Sequence, residues 1–500
     1  MGSRSENLLA AEHEIFDVAI IGGGVNGACL FDRLRRSGHQ VVLLEKGDFG
    51  GGTSQASAMM VWGGLLYLAG FDFRTVFSLS NSRDRMIREM PEWVSPKKIG
   101  ILPASRGVLG KHSVLLGLHL YWLIGRLNRR RATLERDFLG KSLLTRDVDA
   151  LAYEEGFLRQ SDARFVLHWL LGHFPPFGVP LNYLEVIGGE YQRTDKLWHL
   201  MAKDLIGGHE LTIRARAIAN CAGVWTDQVN ANSRIRSPIK HIFSKGVFLG
   251  LNRNEDQEMP LIFDMGEHDD VICSIPWGPV ELWGPTETKI ESLETGFEAS
   301  PEDVCFLLDQ RERHFKAAAS KEDIVSLRSG VRPLAVEASY DRAEYPLALS
   351  RRPQIVADSE VPWVSVYGGK ITNCEDIANS SAERLTSMLP APSPPVENIA
   401  AFKVGDVRMS KFPGVDEAVP EIDWCNKQEF CCTIEDYLRR RTNIAQWVPR
   451  EGLGRTNEND ALLLDLCLQL TDGNKAAAEQ QLAEYHTGVV RRFDRVLSSL

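Results

Sequence analysis

The feature that most constrains this chain is Gly22-x-Gly24-x-x-Gly27, set between a short apolar run and an amphipathic one. Phe16 to Ile21 reads as a buried strand, and Val25 to Arg36 carries Ala28, Leu30, Phe31 and Leu34 at helical spacing. Ser37-Gly38 closes that helix, Gln40 to Leu44 reads as a second buried strand, and Glu45 stands at its end. Strand, glycine turn, helix and strand make one βαβ unit. The glycines allow the tight turn, let backbone reach a pyrophosphate and bring helix against sheet. The helix N-terminus then offers free N–H groups and a positive dipole end to the phosphates. Glu45 is placed to accept hydrogen bonds from a ribose diol, which favours FAD or NAD over NADP. Lys46 to Ser54 (KGDFGGGTS) follows as a second small, polar loop suited to a flavin's diphosphate and ring. A simple NAD enzyme would enter another helix here, so the loop selects FAD.

A chain of 500 residues exceeds what one core organises, and two or three units are expected. A net charge of −10 excludes the broadly basic face that nucleic-acid binding requires. The nine cysteines are scattered and form no CxxC, and nothing before Phe16 resembles a secretory signal. They read as reduced thiols of a cytoplasmic protein. Ser113 to Gly125 (SVLLGLHLYWLIG) is too short to span a bilayer and runs straight into Arg126, Arg129, Arg130 and Arg131. Residues 113–131 are therefore either a buried helix with a solvated basic end or an interfacial helix on the inner face of a membrane. His112, His119 and His241 have no partners at metal-ligand spacing and read as ordinary, and no hydrolase elbow is present.

Further along, Arg214 to Ala222 and Val361 to Val366 read as strands entering small-residue turns, the second followed by a helix from Asn373 to Leu389. Gly246 to Leu251 and Asp270 to Ile275 alternate and suit an antiparallel sheet. Pro390 to Pro395 (PAPSPP) marks a hinge, after which 434–443, 458–470 and 474–500 show helical spacing.

Taken together, DVAIIGGGVNGA (17–28), LLEKGDFGGGTS (43–54), GGLLYL (63–68), SDARFV (161–166), ANCAGVW (219–225), SGVRPL (329–334), VYGGKITN (366–373) and TIEDYLRRRT (433–442) resemble the FAD-dependent glycerol-3-phosphate dehydrogenase and oxidase family. The resemblance implies an α/β (α+β overall) architecture. A discontinuous Rossmann-type FAD-binding domain would take 14–70, 155–235 and 355–389. An antiparallel-sheet substrate domain would take 71–154 and 236–354, and a C-terminal helical cap 396–500. It implies oxidation of a secondary alcohol by hydride transfer to flavin, with quinone or oxygen as the final acceptor. Residue by residue it places Gly22, Gly24, Val25, Asn26, Gly27, Glu45, Lys46, Thr53, Ser54, Ala222, Gly223, Trp225, Gly369, Lys370, Ile371 and Thr372 at FAD. Arg332 and Arg351 match arginines near the substrate, where a guanidinium holds an anion bidentately. Their alternative partners are Glu337 and Asp341. Lys370 completes the candidate catalytic set.

The departures from the family's pattern bear on the substrate. Its SSRSxKLIHGGLRYL reads here with Ala56 for arginine, Met59 for lysine, Trp62 for histidine and Leu66 for the second arginine. Phe248 stands for the histidine of KGxH, and Cys374 for the tyrosine after GGKxT. Met59, Trp62 and Phe248 thus give a pocket richer in apolar surface and poorer in charge and bases. The expectation is an FAD-dependent oxidoreductase acting by hydride transfer on an anionic small-molecule alcohol or amine, larger or more apolar than glycerol 3-phosphate and not that compound. Its rivals are a true glycerol-3-phosphate dehydrogenase or oxidase and a flavin-binding scaffold whose pocket has decayed.

Overall fold

The computed structural model describes residues 3–103, 107–172, 178–265, 271–293, 296–340, 352–390 and 407–500. Strand Ile15–Ile21 and strand Val41–Leu44 lie side by side and parallel, joined by helix Val25–Arg36. Val18 to Ile21 and Val41 to Leu44 are buried on both faces, as an unbroken apolar run in a parallel sheet requires. Helix Val25–Arg36 turns Ala28, Phe31 and Leu34 inward, and Gly38 (φ 84°) ends it in the left-handed conformation that glycine tolerates.

The rest of this eight-stranded sheet is gathered from distant parts of the chain. Its order is Gln354–Ala357, Trp363–Tyr367, Glu210–Asn220, Ile15–Ile21, Val41–Leu44, Gly178–Leu181. Leu197–Asp204 and Leu184–Gln192 pair antiparallel on its flank. Helix Cys374–Thr386 and helix Asp162–Leu171 pack against Val25–Arg36 on one face.

A ten-stranded, largely antiparallel sheet is built on the long pair Ile239–Asn252 and Ile324–Glu337. It continues through Val280–Gly284, Val271–Trp277, Leu261–Asp264, Val94–Leu102 and Ala150–Leu158 to Met60–Val61. Met60–Val61 and the end of Ala150–Leu158 thus serve this sheet, although sequence reading assigned both stretches to the nucleotide domain. The segments read as antiparallel, 246–251 and 271–275, lie in it; residue 270 and the hinge residues 391–395 lie outside the described residues.

Residues 407–500 are mainly helical and rest on both bodies. Helix Asp460–Leu470 packs on helix Lys475–Val489, and Asp436–Arg441 forms a π-type turn. Ile434, Tyr437, Leu438, Ile444 and Leu463 share a core with Leu249, Ile324 and Leu327 of the ten-stranded sheet. Helix Gly107–Ile124 contains the apolar run 113–124, and among the described residues no helix is long and apolar enough to cross a membrane.

Candidate active site

The glycine turn is shaped by close approaches. Gly22 has φ 107°, and a Cβ there would overlap the carbonyl of Cys221. A Cβ on Gly27 would overlap the carbonyl oxygen of Gly22, so this glycine lets the helix sit down on the strand and does not itself face the site. The half-buried Glu45 carboxylate ties the two loops together. Its Oε2 accepts from Gly23 N–H at 2.7 Å and its Oε1 from Gly47 N–H at 2.8 Å. Burial pushes its pKa up, and these two N–H groups work against that. Ser54 Oγ accepts from Val25 N–H at 3.0 Å, so the second loop is fastened to the first turn of the helix.

A cavity of about 1200 Å³ opens along these groups and continues between the two sheets. Gly22, Gly24, Val25, Asn26, Glu45, Lys46, Thr53, Ser54, Ala222, Gly223, Trp225, Gly369, Lys370, Ile371 and Thr372 all line it. Lys46 Nζ lies 3.8 Å above the Trp225 ring, which stacks on Phe297 at 5.4 Å. Asn26 Nδ2 donates to Gly368 O at 3.0 Å, while its buried Oδ1 has no partner among the described residues. A crowded glycine cradle, a helix N-terminus, an acidic residue at the end of the second strand and an orphaned amide oxygen on one wall fit a bound FAD.

Beyond this nucleotide half, one face of the ten-stranded sheet forms an apolar floor. Ile262 pairs with Ile101 on one side and Cys273 on the other, and Val271 and Tyr153 extend the same surface. Trp62 and Phe248 join it as walls. Met59 does not. It is fully buried with its Sδ 3.8 Å from Arg328 Nη2, and Met60 lines the cavity in its place. Met59 has φ 59°, so the alternation of strand Met60–Val61 begins one residue later than a sequence count supposes.

Charged groups stand around this floor in pairs. Arg332 Nη1 lies 3.0 Å from Glu287 Oε2, and Ser244 Oγ donates to Glu287 Oε1 at 2.5 Å. Among the described residues the carboxylate facing Arg332 is not Glu337 but one at a strand end 45 residues upstream; Asp341 lies outside the described residues. A Cβ on Gly246 would overlap the guanidinium, so the glycine of Lys245-Gly246 is what leaves room for Arg332. Lys245 itself is turned away, buried on Asp303 at 2.6 Å. Lys370 Nζ lies 2.6 Å from Tyr67 OH and 4.4 Å from the centroid of its ring. Thr372 Oγ1 donates to Trp62 O at 3.0 Å, which pins the Gly369–Thr372 turn to the substrate side. Arg351 lies outside the described residues. Its neighbour Arg352 lines the cavity, held by Asp72 and by Thr75 Oγ1 at 2.8 Å.

His241, read as ordinary from sequence, has a task here. Its Nε2 accepts from Gly368 N–H at 3.2 Å, and burial pushes its pKa down to about 3, so the ring is neutral and the acceptor persists. Sequence reasoning also missed Tyr67, Glu287 and Arg352. The GGLLYL motif contained Tyr67, but no local pattern announces Glu287, which reaches its arginine only through the fold.

Residues 17–353 match the family described as DAO, FAD dependent oxidoreductase. The chain belongs to that family. It is an FAD-dependent oxidoreductase, and the resemblance read from its motifs is shown. Among relatives of this oxidoreductase, D-erythritol 1-phosphate dehydrogenase of Brucella abortus is 29% identical over 396 residues, 76% of this chain and 75% of that protein. Aerobic glycerol-3-phosphate dehydrogenase of Escherichia coli is 27% identical over 378 residues, covering 75% and 74%. The fold is shared with glycerol-3-phosphate dehydrogenase from Bacillus halodurans complexed with FAD, at 18% identity, TM-score 0.70 and 97% coverage of each chain.

Proposed function

We propose that this oxidoreductase removes hydrogen from a carbon bearing an alcohol or amine, on an anionic substrate larger and more apolar than glycerol 3-phosphate. The observation that carries this reading is the pairing of an apolar floor with cations that already face partners. Arg332 is set against Glu287 and Arg352 against Asp72, with Lys370 on the Tyr67 hydroxyl. Holding a compact dianion means competing with two carboxylates, while Ile101, Phe248, Ile262 and Val271 reward apolar surface at about 25 cal/mol per Å² buried.

When bound, FAD supplies the two-electron acceptor. Arg332, Arg352 and Lys370 bind the anionic end and fix its direction, and Trp62, Phe248 and the floor exclude water around the reacting carbon. Among the described residues no histidine lines the cavity. Asp264 and Glu287, both on the cavity wall, are placed to take an alcohol's proton. An amine loses its proton to solvent beforehand and needs neither, which favours amines within the proposed class.

The test is anaerobic bleaching of the flavin band by glycerol 3-phosphate and by a panel of anionic hydroxy acids, polyol phosphates and amino acids. Silence with glycerol 3-phosphate and bleaching by a bulkier member is the expected result. Rapid bleaching by glycerol 3-phosphate makes the protein a glycerol-3-phosphate dehydrogenase or oxidase, and silence throughout leaves a flavin-binding scaffold.

A second observation favours a membrane-associated acceptor. Phe71, Phe73 and Phe77 stand exposed with Leu66, Leu116, Leu120, Leu123 and Leu127, large apolar side chains on helix Gly107–Ile124 and on the segments beside it. Arg74, Arg126, Arg130 and Arg131 are also exposed, and Arg126 lies 5.0 Å from the Phe77 ring centroid. Leu66 and Val114 also line the cavity, so the apolar face borders its mouth. Such a face with a basic rim suits an anionic bilayer and a quinone dissolved in it. Cosedimentation with phosphatidylglycerol vesicles, lost on Leu116→Glu with Leu123→Glu and weakened by Arg126, Arg130 and Arg131→Gln, is expected. Absence of cosedimentation removes the membrane and leaves oxygen or a soluble acceptor.

A further inference from the structure

The C-terminal helical unit lies beyond residues 17–353, the span that matches the family, yet it forms part of the cavity wall. Ile434, Glu435, Arg440, Gln481 and Glu484 border the same space as Glu45, Lys46 and Gln55. One buried aspartate anchors the contact with the polar loop. Asp48, three residues past Glu45, receives Arg440 Nε at 2.6 Å and Arg441 Nη1 and Nη2 at 2.6 and 2.9 Å. Asn182 Nδ2 adds a fourth donor at 3.1 Å and also donates to Phe430 O at 2.8 Å. The two guanidinium groups hold the Asp48 carboxyl well below its usual range, at about 2.

Arg440 reaches further. Its Nη2 donates to Asp436 Oδ1 at 2.7 Å and its Nη1 to Gln55 Oε1 at 3.2 Å. Gln55 follows Ser54, whose hydroxyl is fastened to the first turn of the nucleotide-binding helix. Tyr183 OH donates to Asp436 at 2.6 Å, and Tyr183 N–H donates to Gly47 O at 2.9 Å. The unit therefore grips Asp48 and Gln55 directly and Gly47 through Tyr183, near the two ends of the polar loop that follows Glu45, and it does so with buried, multiply bonded charges. Gln481 supports this wall from behind, accepting from Ile434 N–H at 3.2 Å and donating to Cys432 O at 3.1 Å.

We propose that the C-terminal unit is a cofactor-retaining clasp: Arg440 and Arg441, closed on Asp48, hold the 46–55 loop against FAD, and FAD leaves only when the clasp opens. Arg440 is a positioning residue, acting through Asp48 and Gln55. The alternative is a stabilising appendage whose loss matters only through global unfolding.

The full-length holoenzyme distinguishes these. FAD release is followed after dilution by the rise in free-flavin fluorescence, for wild type, Arg440→Gln and Arg440→Lys, well below the unfolding transition. Arg440→Gln lowers the unfolding temperature of the flavin-free protein, since it strands buried carboxylates; release at least tenfold faster than wild type well below that lowered transition, with a smaller increase in Arg440→Lys, is expected. Equal release rates overturn the proposal, as does a release rate that rises only in step with a lowered unfolding temperature. Should Arg440→Gln fail to fold, amide hydrogen exchange of wild type with and without FAD decides the matter. Slower exchange over 433–441 on adding FAD supports the clasp, and exchange there unaffected by FAD overturns it.

Discussion

Gly27→Ala is expected to yield a folded but nearly colourless protein. The added methyl overlaps the Gly22 carbonyl, a backbone atom with little freedom because Gly22 N–H is bonded to Leu44 O at 2.8 Å. The helix must lift from the strand, and overpacking of this kind costs about 1–3 kcal/mol. Its N-terminal N–H groups then move off the phosphate position, and FAD affinity should fall by roughly tenfold to a hundredfold, since every 1.4 kcal/mol is a factor of ten. The ratio of flavin to protein absorbance after purification measures this directly. A wild-type ratio would mean that the turn relaxes without disturbing the cradle.

Arg332→Ala carries the second large effect, on activity rather than cofactor content. It removes the proposed anion-binding group and also leaves the Glu287 carboxylate, whose side chain is only 7% exposed, without its guanidinium. Stranding Glu287 lowers stability; losing the guanidinium's own contact to the substrate anion costs about 3 kcal/mol of binding, so kcat/KM on the best substrate of the panel should drop by about two orders of magnitude. FAD content should stay unchanged, because Arg332 lies on the substrate side of the cavity. Gly246→Ala should move in the same direction by a smaller amount, since its methyl displaces the guanidinium without deleting it. If both variants keep wild-type kcat/KM with every substrate, Arg332 has no part in binding.

Much of the nucleotide half was legible because its determinants are local. Gly22, Gly24, Gly27 and Glu45 lie within 24 residues, and the turn, the helix N-terminus and the strand-end carboxylate need no information from elsewhere. The substrate half was legible only where a motif resembled a known family, as at Arg332 and Lys370. Glu287 could not be found because its meaning depends on the pairing of Ile239–Asn252 with Ile324–Glu337, which brings Ser244 opposite Arg332. Met59 was misplaced by a single residue, because a left-handed backbone angle just before a two-residue strand resets which side chains face inward. His241 gave no signal, since a neutral imidazole accepting one backbone N–H follows no spacing rule. The clasp on Asp48 joins residues almost 400 positions apart, beyond the reach of any periodicity.

The interleaving of the eight-stranded sheet has a consequence for how the protein is made. Strand Ile15–Ile21 is flanked by Val41–Leu44, available at once, and by Glu210–Asn220, which itself waits for Trp363–Tyr367. At about 5–20 residues per second on a ribosome, roughly 20 to 70 s separate the emergence of the glycine turn from that of Trp363–Tyr367, the last strand of this sheet to be made. During that interval the nascent chain exposes an apolar βαβ unit that no FAD molecule can complete. Cofactor capture is thus a late event in biosynthesis, and the arrival of 433–441 would be its final step.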